Sequence, residues 1–366
     1  MRPFDIIDID IFGESHSAEI GATVTGLPEG ETFDTGKVAE FAARRKSGKY
    51  LFSTPRREDD EAMWEGAEDA GEDVLRIKGA LTVRILNSNI RPSDYSYHVT
   101  PRPSHADYCA RVKDGDNAAR SGGGRFSGRM TAPLVAAGGV AKQLLERRGI
   151  RVAAYIGELA GVEGKGYRDG ELSYDDITAC HDRALPMLSR AEEAEAAAKR
   201  AAQAGDSVGG VVECVAFGVP AGLGDALFGG LESKIAAAVY AIPAVKGVEF
   251  GAGFGIAKMR GSESNDPFAL KDGKVVTLTN RSGGINGGIS NGMPVTFRAA
   301  FRPTPSISLA QRTVDLDKMC ETEITVKGRH DATVVPRAVA AVEAAAALAL
   351  LDAVLVREKE LDKKLF

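Results

Sequence analysis

The longest apolar stretch of the chain runs from Ala338 to Val356, and it limits how the chain can fold. The stretch is rich in Ala, Leu and Val, but Glu343 and Asp352 interrupt it. A membrane-spanning helix of this length carries few or no charges. We therefore interpret the stretch, which is preceded by Pro336, as a helix buried in a protein core. The N-terminal residues lack the apolar region of a signal peptide, so the sequence predicts a cytoplasmic protein.

Shorter patterns predict a mixture of strands and helices. Strands are expected within residues 4–11, 20–25, 74–86, 152–163, 211–217, 247–259 and 293–301, with residues 74–86 forming two paired strands about Lys78-Gly79. Helices are expected at residues 35–45, 132–145, 191–204 and 227–242. The elements do not alternate as regular βαβ units, which favours the α+β class over a doubly wound sheet. Because no linker-like composition or repeat period occurs, residues 1–366 are predicted to form a single domain.

Charge and cysteine content exclude several classes of protein. The net charge is −5, from 46 Lys and Arg against 51 Asp and Glu. A nucleic-acid or anionic-membrane partner is therefore not expected. The four cysteines show no CxxC spacing, so we expect them to be reduced and mostly buried; they are residues 109, 180, 214 and 320.

Residues 102–131 form the most polar and glycine-rich stretch, and its cations stand out in an acidic chain. It contains three consecutive glycines, 122–124, and five arginines, at 102, 111, 120, 125 and 129. Glycines allow backbone N–H groups to approach a ligand closely, and a predicted helix begins directly after Arg129. These features indicate an anion site, although a solvated turn with scattered charges is the alternative.

Other loops add to this picture. Residues 283–288 form a second glycine-dense loop, and prolines stiffen residues 302–306. Three of the five histidines, 16, 105 and 330, lie in such loops, where acid–base groups concentrate. No HxH, HxxxH or HExxH spacing occurs, so a metal site is not expected. The residues alone indicate an enzyme acting on a small phosphate- or carboxylate-bearing molecule, and they leave its reaction open.

Seven motifs in order resemble the chorismate synthase family. They are FGESH (12–16), RPSHADY (102–108), GGGRFSGRMT (122–131), AVKGVEFGAGF (244–254), GGINGGISNG (283–292), RPTPSIS (302–308) and GRHDATVVPRAV (328–339). The resemblance implies a β–α–β sandwich, a homotetramer, and reduced FMN bound near subunit contacts. It also implies a carbon–oxygen lyase of the shikimate pathway, which converts 5-enolpyruvylshikimate 3-phosphate to chorismate by 1,4-anti elimination of phosphate and a proton. Whether NADPH or an external reductant reduces the flavin stays open.

The resemblance also implies roles for individual residues. His16 matches the histidine that protonates the leaving phosphate, His105 the one that sets the protonation of the flavin, and Asp331 the aspartate that assists proton removal. Substrate contacts carry over to Arg45, Arg129 and Arg329. Flavin contacts carry over to Arg125, Phe126, Ser127, Pro243, Ala244, Gly287, Arg302, Pro303, Thr304, Pro305, Ser306 and Arg329.

The chain departs from the family pattern at several of these motifs. Leu51 stands where the family has a second arginine, and residues 78–85 replace its TTGTPI stretch. Further replacements lie in the site loops, at Ser17, Ser104, Phe126, Gly128, Met130, Arg302 and Pro305. Two alternatives therefore stay open. One is a paralogue that acts as a flavin reductase or on another phosphate ester, and the other is a non-enzymatic flavin- or anion-binding protein.

Overall fold

The computed structural model describes residues 4–46, 60–87, 97–115, 123–167, 172–326 and 331–361. Within these ranges the strands are β1 (Asp8–Gly13), β2 (Glu19–Thr25), β3 (Thr32–Asp34), β4 (Ala62–Gly71), β5 (Val74–Leu86), β6 (Arg151–Leu159), β7 (Val162–Glu163), β8 (Gly210–Phe217), β9 (Val245–Phe250), β10 (Phe268–Lys271), β11 (Lys274–Thr277), β12 (Ile285–Asn286), β13 (Ile289–Ser290), β14 (Val295–Phe301), β15 (Gln311–Asp315) and β16 (Cys320–Ile324). The helices are α1 (Thr35–Ala43), α2 (Asp107–Asp114), α3 (Thr131–Glu146), α4 (Tyr174–Thr178), α5 (Ala191–Gln203), α6 (Leu231–Tyr240), α7 (Gly261–Ser264) and α8 (Val335–Glu360).

Two five-stranded antiparallel sheets enclose the main helices. The first has the order β1-β2-β5-β3, with β4 also paired to β5, and the second has the order β7-β6-β8-β14-β9. Helix α3 packs on β2 and β5 of the first sheet, and α8 packs on β6 and β8 of the second. The two helices also pack on each other, with α1 and α6 beside them. This helical layer between sheets confirms the α+β class and the predicted sandwich.

Helix α8 confirms the interpretation of the apolar stretch. It is long and apolar enough to cross a membrane, but 94% of its most apolar 18-residue window is buried inside the protein. Its two interrupting carboxylates are fully buried as well. Asp352 accepts hydrogen bonds from the backbone N–H groups of Asp5 (3.1 Å), Ile6 (2.8 Å) and Ile7 (2.9 Å). Those groups bind a carboxylate instead of a neighbouring strand, so the first strand begins at Asp8 and not at residue 4 as predicted.

The prediction of two strands about Lys78-Gly79 is wrong. Residues 74–86 form the single strand β5, and the turn lies before it, where Asp73 has a φ of 55°. Gly79, with a φ of 110°, lies inside the strand, and the pairing of β4 with β5 shifts register between Glu65 and Ala67. The glycine therefore marks an irregularity within a long strand, which local sequence does not distinguish from a hairpin.

Two further expectations need correction. The strand predicted over residues 247–259 ends at Phe250, and a 3-10 turn follows at Gly253–Lys258. The cysteines are all free, but only Cys180 and Cys214 are buried, while Cys109 and Cys320 are exposed. The expectation of mostly buried cysteines is thus right for two of the four.

Candidate active site

His16 lies in the turn between β1 and β2, where its imidazole is partly buried. Its Nδ1 is 3.0 Å from the hydroxyl of Ser15. The Ser15 N–H donates to the carbonyl of Gly124 (3.3 Å), which joins this turn to the arginine-rich loop. From the end of β5, the Asn87 side chain donates to the carbonyl of Ser17 (2.8 Å). The turn that carries His16 is therefore held from two directions.

The arginine-rich loop forms two short 3-10 turns, Gly124–Phe126 and Gly128–Met130, before α3 begins. Ser127 caps the second turn, because its Oγ accepts a hydrogen bond from the Arg129 N–H (3.2 Å). The Arg129 side chain is buried, whereas that of Arg125 is about half exposed and pairs with Asp114 (2.6 Å). The two arginines therefore lie in different surroundings although they are close in sequence.

Arg125 and Phe126 line a cavity of about 340 Å³ between this loop and the C-terminal end of α6. Pro243 also lines it, so three residues predicted to contact the flavin share one cavity. The remaining walls are mainly apolar and come from Phe4, Ile9, Ile11, Met130, Thr131, Leu134, Ala238, Ala241, Ala345 and Leu348. Small-molecule sites typically have volumes of roughly 300–1,000 Å³ and mostly apolar walls. An apolar cavity with a guanidinium group at its wall fits a planar ring that carries a phosphate.

His105 lies just before α2 and contacts the proline-rich loop at residues 302–306. Its Nδ1 is 3.1 Å from the carbonyl of Pro103, and its Nε2 is 2.9 Å from the hydroxyl of Ser306. A carbonyl oxygen only accepts, so Nδ1 carries the proton and Nε2 accepts from Ser306. Burial, followed by the positive charge of Arg102, lowers the pKa of His105 to about 4. The imidazole is therefore neutral near pH 7.

Arg302 connects the proline-rich loop to two neighbouring segments by hydrogen bonds. Its guanidinium donates to the carbonyl of Ser104 (2.5 Å), and its backbone N–H donates to the carbonyl of Ala244 (3.0 Å). Arg302 Nε and Thr304 Oγ1 are buried polar atoms, and neither has a hydrogen-bond partner among the residues that the structure describes. Buried polar groups are nearly always hydrogen-bonded, so these two atoms indicate a place where a polar ligand group belongs.

Arg45 and Arg129 meet at one carboxylate. Asp60 Oδ2 is 3.1 Å from Arg45 NH1, and Asp60 Oδ1 accepts from Arg129 NH1. Arg45 Nε also donates to the hydroxyl of Thr131 (3.0 Å), and Arg129 Nε donates to the side chain of Asn87 (3.0 Å). Arg45 and Asp60 line a second cavity, of about 380 Å³, between α1 and β4. Within the described ranges, no other residue predicted for the site lines this second cavity.

Asp331 is held at the start of α8. Its carboxylate accepts a hydrogen bond from Arg337 NH1 (2.9 Å), and Arg337 Nε donates to the backbone carbonyl of Arg45 (3.1 Å). The neighbouring carbonyl, that of Ala332, accepts from the Val208 N–H (2.9 Å). Asp331 is thus connected both to the arginine pair and to the loop that precedes β8.

These contacts form a polar network that connects the His16 turn to Asp331. In order, the network runs through the His16 turn, Asn87, Arg129, Asp60, Arg45, Arg337 and Asp331. From Asp331 to His105 the connection follows the backbone. The Val208 N–H donates to the carbonyl of Ala332, and the Ser207 hydroxyl donates to the carbonyl of Thr304 (2.6 Å), in the loop that contacts His105.

Comparison with known proteins decides the family. A family model described as chorismate synthase matches residues 7–355. The chain belongs to the chorismate synthase family. A chorismate synthase of Dehalococcoides mccartyi is 42% identical over 353 residues, which cover 95% of this chain and 94% of that protein. A chorismate synthase of Thermococcus kodakarensis is 44% identical over 354 residues, which cover 96% and 97%. A solved structure titled "Crystal Structure of Chorismate Synthase" matches with a TM-score of 0.72 and 24% identity, covering 97% of this chain and 93% of that one.

Membership of the chorismate synthase family confirms the resemblance predicted from the motifs. The solved structure confirms the fold. The family also sets the enzyme class, a lyase of the shikimate pathway in aromatic biosynthesis. A purely non-enzymatic binding protein is therefore no longer an alternative.

The structure explains one departure from the chorismate synthase pattern. Ser17 replaces a family glycine, and its hydroxyl donates to the carbonyl of Glu14 (2.8 Å) and accepts from the Glu14 N–H (2.9 Å), so this serine stabilises the turn. Ser104 replaces another family glycine and has a φ of 60°, a left-handed conformation that favours glycine. Nothing in the structure explains the serine at position 104. Leu51 and Arg329 lie outside the described residues, as does His330.

Gly287 and Pro243, both predicted to contact the flavin, lie at opposite ends of α6. The carbonyl of the adjacent Gly288 accepts from the N–H of Leu231, at the N-terminal end of α6 (2.8 Å). Pro243 lies just beyond the C-terminal end of the same helix. A ten-residue helix is about 15 Å long, so this length separates the two predicted contacts.

The sequence did not single out three residues of the network. They are Asn87, which is hydrogen-bonded to Arg129, Asp60, which is hydrogen-bonded to Arg45, and Arg337, which is hydrogen-bonded to Asp331. Arg337 lies in the last quoted motif, and Asp60 ends the charged run that follows Pro55, so both were visible as charges near motifs. No local pattern indicates which cation or anion each one meets.

Proposed function

We propose that this enzyme converts 5-enolpyruvylshikimate 3-phosphate to chorismate and phosphate, with reduced FMN as its cofactor. The observation that carries the proposal is the polar network, which connects the turn of His16 to Asp331 through Arg129, Arg45 and Arg337. The reaction breaks one carbon–oxygen bond to phosphate and one carbon–hydrogen bond, and the ring gains a double bond without net oxidation. It therefore requires cations for the departing phosphate, a proton donor and a proton acceptor.

Arg45 and Arg129 are proposed to bind the anionic groups of the substrate, together with Arg329. Guanidinium groups suit this role because they stay charged and donate several hydrogen bonds to one phosphate. His16 is proposed to deliver a proton to the leaving phosphate oxygen. Its place beside the arginine-rich loop supports this role, because the loop backbone accepts the Ser15 N–H at 3.3 Å.

The residues of the 340 Å³ cavity and the proline-rich loop are proposed to hold FMN. The apolar walls suit its ring system, while Arg125, Arg302 and Thr304 offer donors to its phosphate and polar groups. When bound, reduced FMN supplies electron density transiently to a substrate whose ring hydrogen is scarcely acidic. His105 is proposed to act as a neutral imidazole beside this region, and Asp331 to take up the proton that leaves the carbon.

Anaerobic turnover tests this proposal directly. The enzyme is incubated with 5-enolpyruvylshikimate 3-phosphate and photoreduced FMN, and chorismate and inorganic phosphate are measured. We expect both products in equal amounts with reduced FMN and neither with oxidised FMN. Flavin reduction by NADPH without phosphate release would instead favour the flavin-reductase paralogue, for which the departures at Leu51, Phe126 and Met130 are the argument.

Replacement of His16 separates catalysis from binding. His16→Ala is expected to reduce turnover by roughly 10²- to 10⁴-fold, because a general acid contributes about this factor. FMN affinity, measured by quenching of flavin fluorescence, is expected to stay at the wild-type level. Wild-type turnover in His16→Ala would contradict the role of His16.

A homotetramer is proposed as the active assembly, and a cytoplasmic location stays a prediction. Most of the exposed large apolar side chains among the described residues lie between residues 227 and 289. Leu227, Phe228 and Phe254 are each more than three-quarters exposed. Gly287 lies in the same region, and we propose that it contacts the flavin of a neighbouring subunit. Light scattering of the wild type and of a Phe228→Ser, Phe254→Ser double variant tests this, since a wild-type monomer that binds FMN fully would contradict it.

A further inference from the structure

Asp60 is the only described residue whose carboxylate the structure shows bonded to both Arg45 and Arg129. One carboxylate oxygen lies 3.1 Å from Arg45 NH1, and the other accepts from Arg129 NH1. All three side chains are buried, with exposed fractions of 3% for Asp60, 1% for Arg45 and 7% for Arg129. The contact therefore differs from a surface ion pair, whose partners water can replace.

The three side chains come from separate parts of the chain. Arg45 follows the C-terminal end of α1, Arg129 lies in the turn before α3, and Asp60 precedes β4. Asp60 has a φ of 48°, a left-handed conformation that is uncommon for residues other than glycine. Strained conformations of this kind persist where the surrounding structure requires them, often at functional sites. This backbone conformation accompanies a carboxylate that lies between the two guanidinium groups.

Each guanidinium group also donates a hydrogen bond to a neutral side chain. Its orientation therefore depends on this hydrogen bond and on the contact with Asp60. Arg45 Nε donates to the Thr131 hydroxyl, and Arg129 Nε donates to the Asn87 side chain, each at 3.0 Å. Two buried cations repel each other strongly in a medium of low dielectric constant. A carboxylate between them offsets this repulsion and keeps the two groups at a defined spacing.

We propose that Asp60 is a positioning residue, which holds Arg45 and Arg129 as a pair so that both can share one anion of the substrate. The inference deepens the proposed function, on which the role of the two arginines rests. It assigns Asp60 a part in anion recognition without contact to the reacting atoms. The opposite interpretation is that the carboxylate occupies the place of the substrate anion and has to leave before the substrate binds.

Asp60→Asn distinguishes the two interpretations. Asn has nearly the same shape, tolerates a left-handed backbone and lacks the negative charge. Positioning predicts that the KM for 5-enolpyruvylshikimate 3-phosphate rises roughly 10- to 100-fold, since small misplacements of binding groups cost about this factor. The Kd for inorganic phosphate, measured by calorimetry, is expected to rise as well, while FMN affinity stays unchanged. Tighter phosphate binding, or an unchanged KM, would overturn the proposal.

Asp272→Asn is the matched control. Asp272 also has a left-handed backbone, with a φ of 50°, and it is exposed in the hairpin between β10 and β11. The same chemical change there is expected to leave KM and phosphate binding at wild-type values. Thermal unfolding of both variants shows whether each one folds.

A second variant keeps the proposal testable if Asp60→Asn does not fold. Asp60→Glu retains the charge but moves the carboxylate by one methylene group, and it is expected to raise KM by a smaller factor, about 5- to 20-fold. A wild-type KM in Asp60→Glu would count against positioning. The same measurements separate the positioning role from the proposed reaction. If the wild-type enzyme releases no phosphate from the substrate, but Asp60→Asn binds inorganic phosphate more weakly than the wild type does, the proposed reaction is contradicted and the positioning role of Asp60 is supported.

Discussion

At the scale of single residues, His105 shows how its surroundings determine a chemical state. Its imidazole contacts a carbonyl on one side and a hydroxyl on the other, and Arg102 and Arg302 lie close enough to disfavour a positive charge. Arg102 is itself held by two hydrogen bonds to Asp107, each 2.8 Å long. The neutral state of His105 therefore follows first from burial and then from the two neighbouring guanidinium groups, and not from the histidine motif alone.

His105 is expected to remain neutral until the pH falls well below its ordinary titration range. Its pKa is lowered from 6.5 to about 4, first by burial and then by Arg102. The unfolded chain binds this proton at a higher pH than the folded protein does. The contribution of His105 to stability is therefore complete above pH 6.5 and is lost as the pH falls from 6.5 towards 4.

NMR titration of the imidazole carbon signals measures this pKa. We expect a midpoint near pH 4 in the folded protein and one near 6.5 in the same protein unfolded by urea. A folded-state midpoint at or above 6.5 would show that the imidazole is not buried beside Arg102 in solution.

At the scale of elements, the crossing of α3 and α8 sets the thickness of the helical layer. Gly138 of α3 lies against Ala344 of α8 so closely that a Cβ at Gly138 would be 2.2 Å from the Ala344 Cβ. Adjacent side chains of both helices are small, so the backbones approach each other. Two parts of the polar network adjoin these helices, because Arg129 lies just before α3 and Asp331 just before α8.

Gly138→Ala is expected to destabilise the protein by about 1–3 kcal/mol, the usual effect of an overpacked core. Helix propensity alone would stabilise this variant, because alanine favours a helix over glycine by roughly 1 kcal/mol. A loss of stability would therefore be due to the close contact with Ala344. Gly261→Ala is the control, since a Cβ there meets no atom within 4 Å. Urea unfolding measures both variants, and a Gly138→Ala protein as stable as the wild type would show that the helices are farther apart.

At the scale of the whole molecule, Glu343 connects the helical layer to the second sheet. Its buried carboxylate accepts from Arg44 just after α1 (2.9 Å), from Lys142 of α3, and from the Ala154 N–H of β6 (3.0 Å). These cations lower the pKa of Glu343 to about 2, although burial opposes the shift. The apolar interior of the sandwich thus contains an ionic cluster that joins these two layers.

Glu343→Gln is expected to destabilise the fold by about 3–5 kcal/mol, because it leaves two cations in the interior without their carboxylate. In the wild type, the stabilisation by Glu343 is present above pH 4.5 and is lost as the pH falls towards 2. Unfolding by urea between pH 7 and pH 2 measures both effects. Glu321→Gln is the control, since its partner Arg312 is highly exposed, and an equal loss in both variants would contradict the role of the cluster.

The sequence by itself determined those features that depend on residues close to one another in the chain. The apolar run of α8, the short strand β2 and the helix after the arginine-rich loop all follow from patterns over a few residues. The seven ordered motifs identified the family, and with it the histidines, because each motif is local. Local patterns also misjudged Gly79, where pairing with distant strands decides whether a glycine turns the chain.

Only the tertiary structure decided which distant groups meet. Asp60 is 69 residues from Arg129, and it is one of 51 carboxylate residues in the chain, so no spacing rule selects it as the partner. Likewise, α6 places Gly287 and Pro243 at its opposite ends, although both belong to flavin motifs. A local sequence pattern depends only on residues that are close to one another in the chain. The charge balance of a buried site depends on contacts that form only when the two sheets close over the helices.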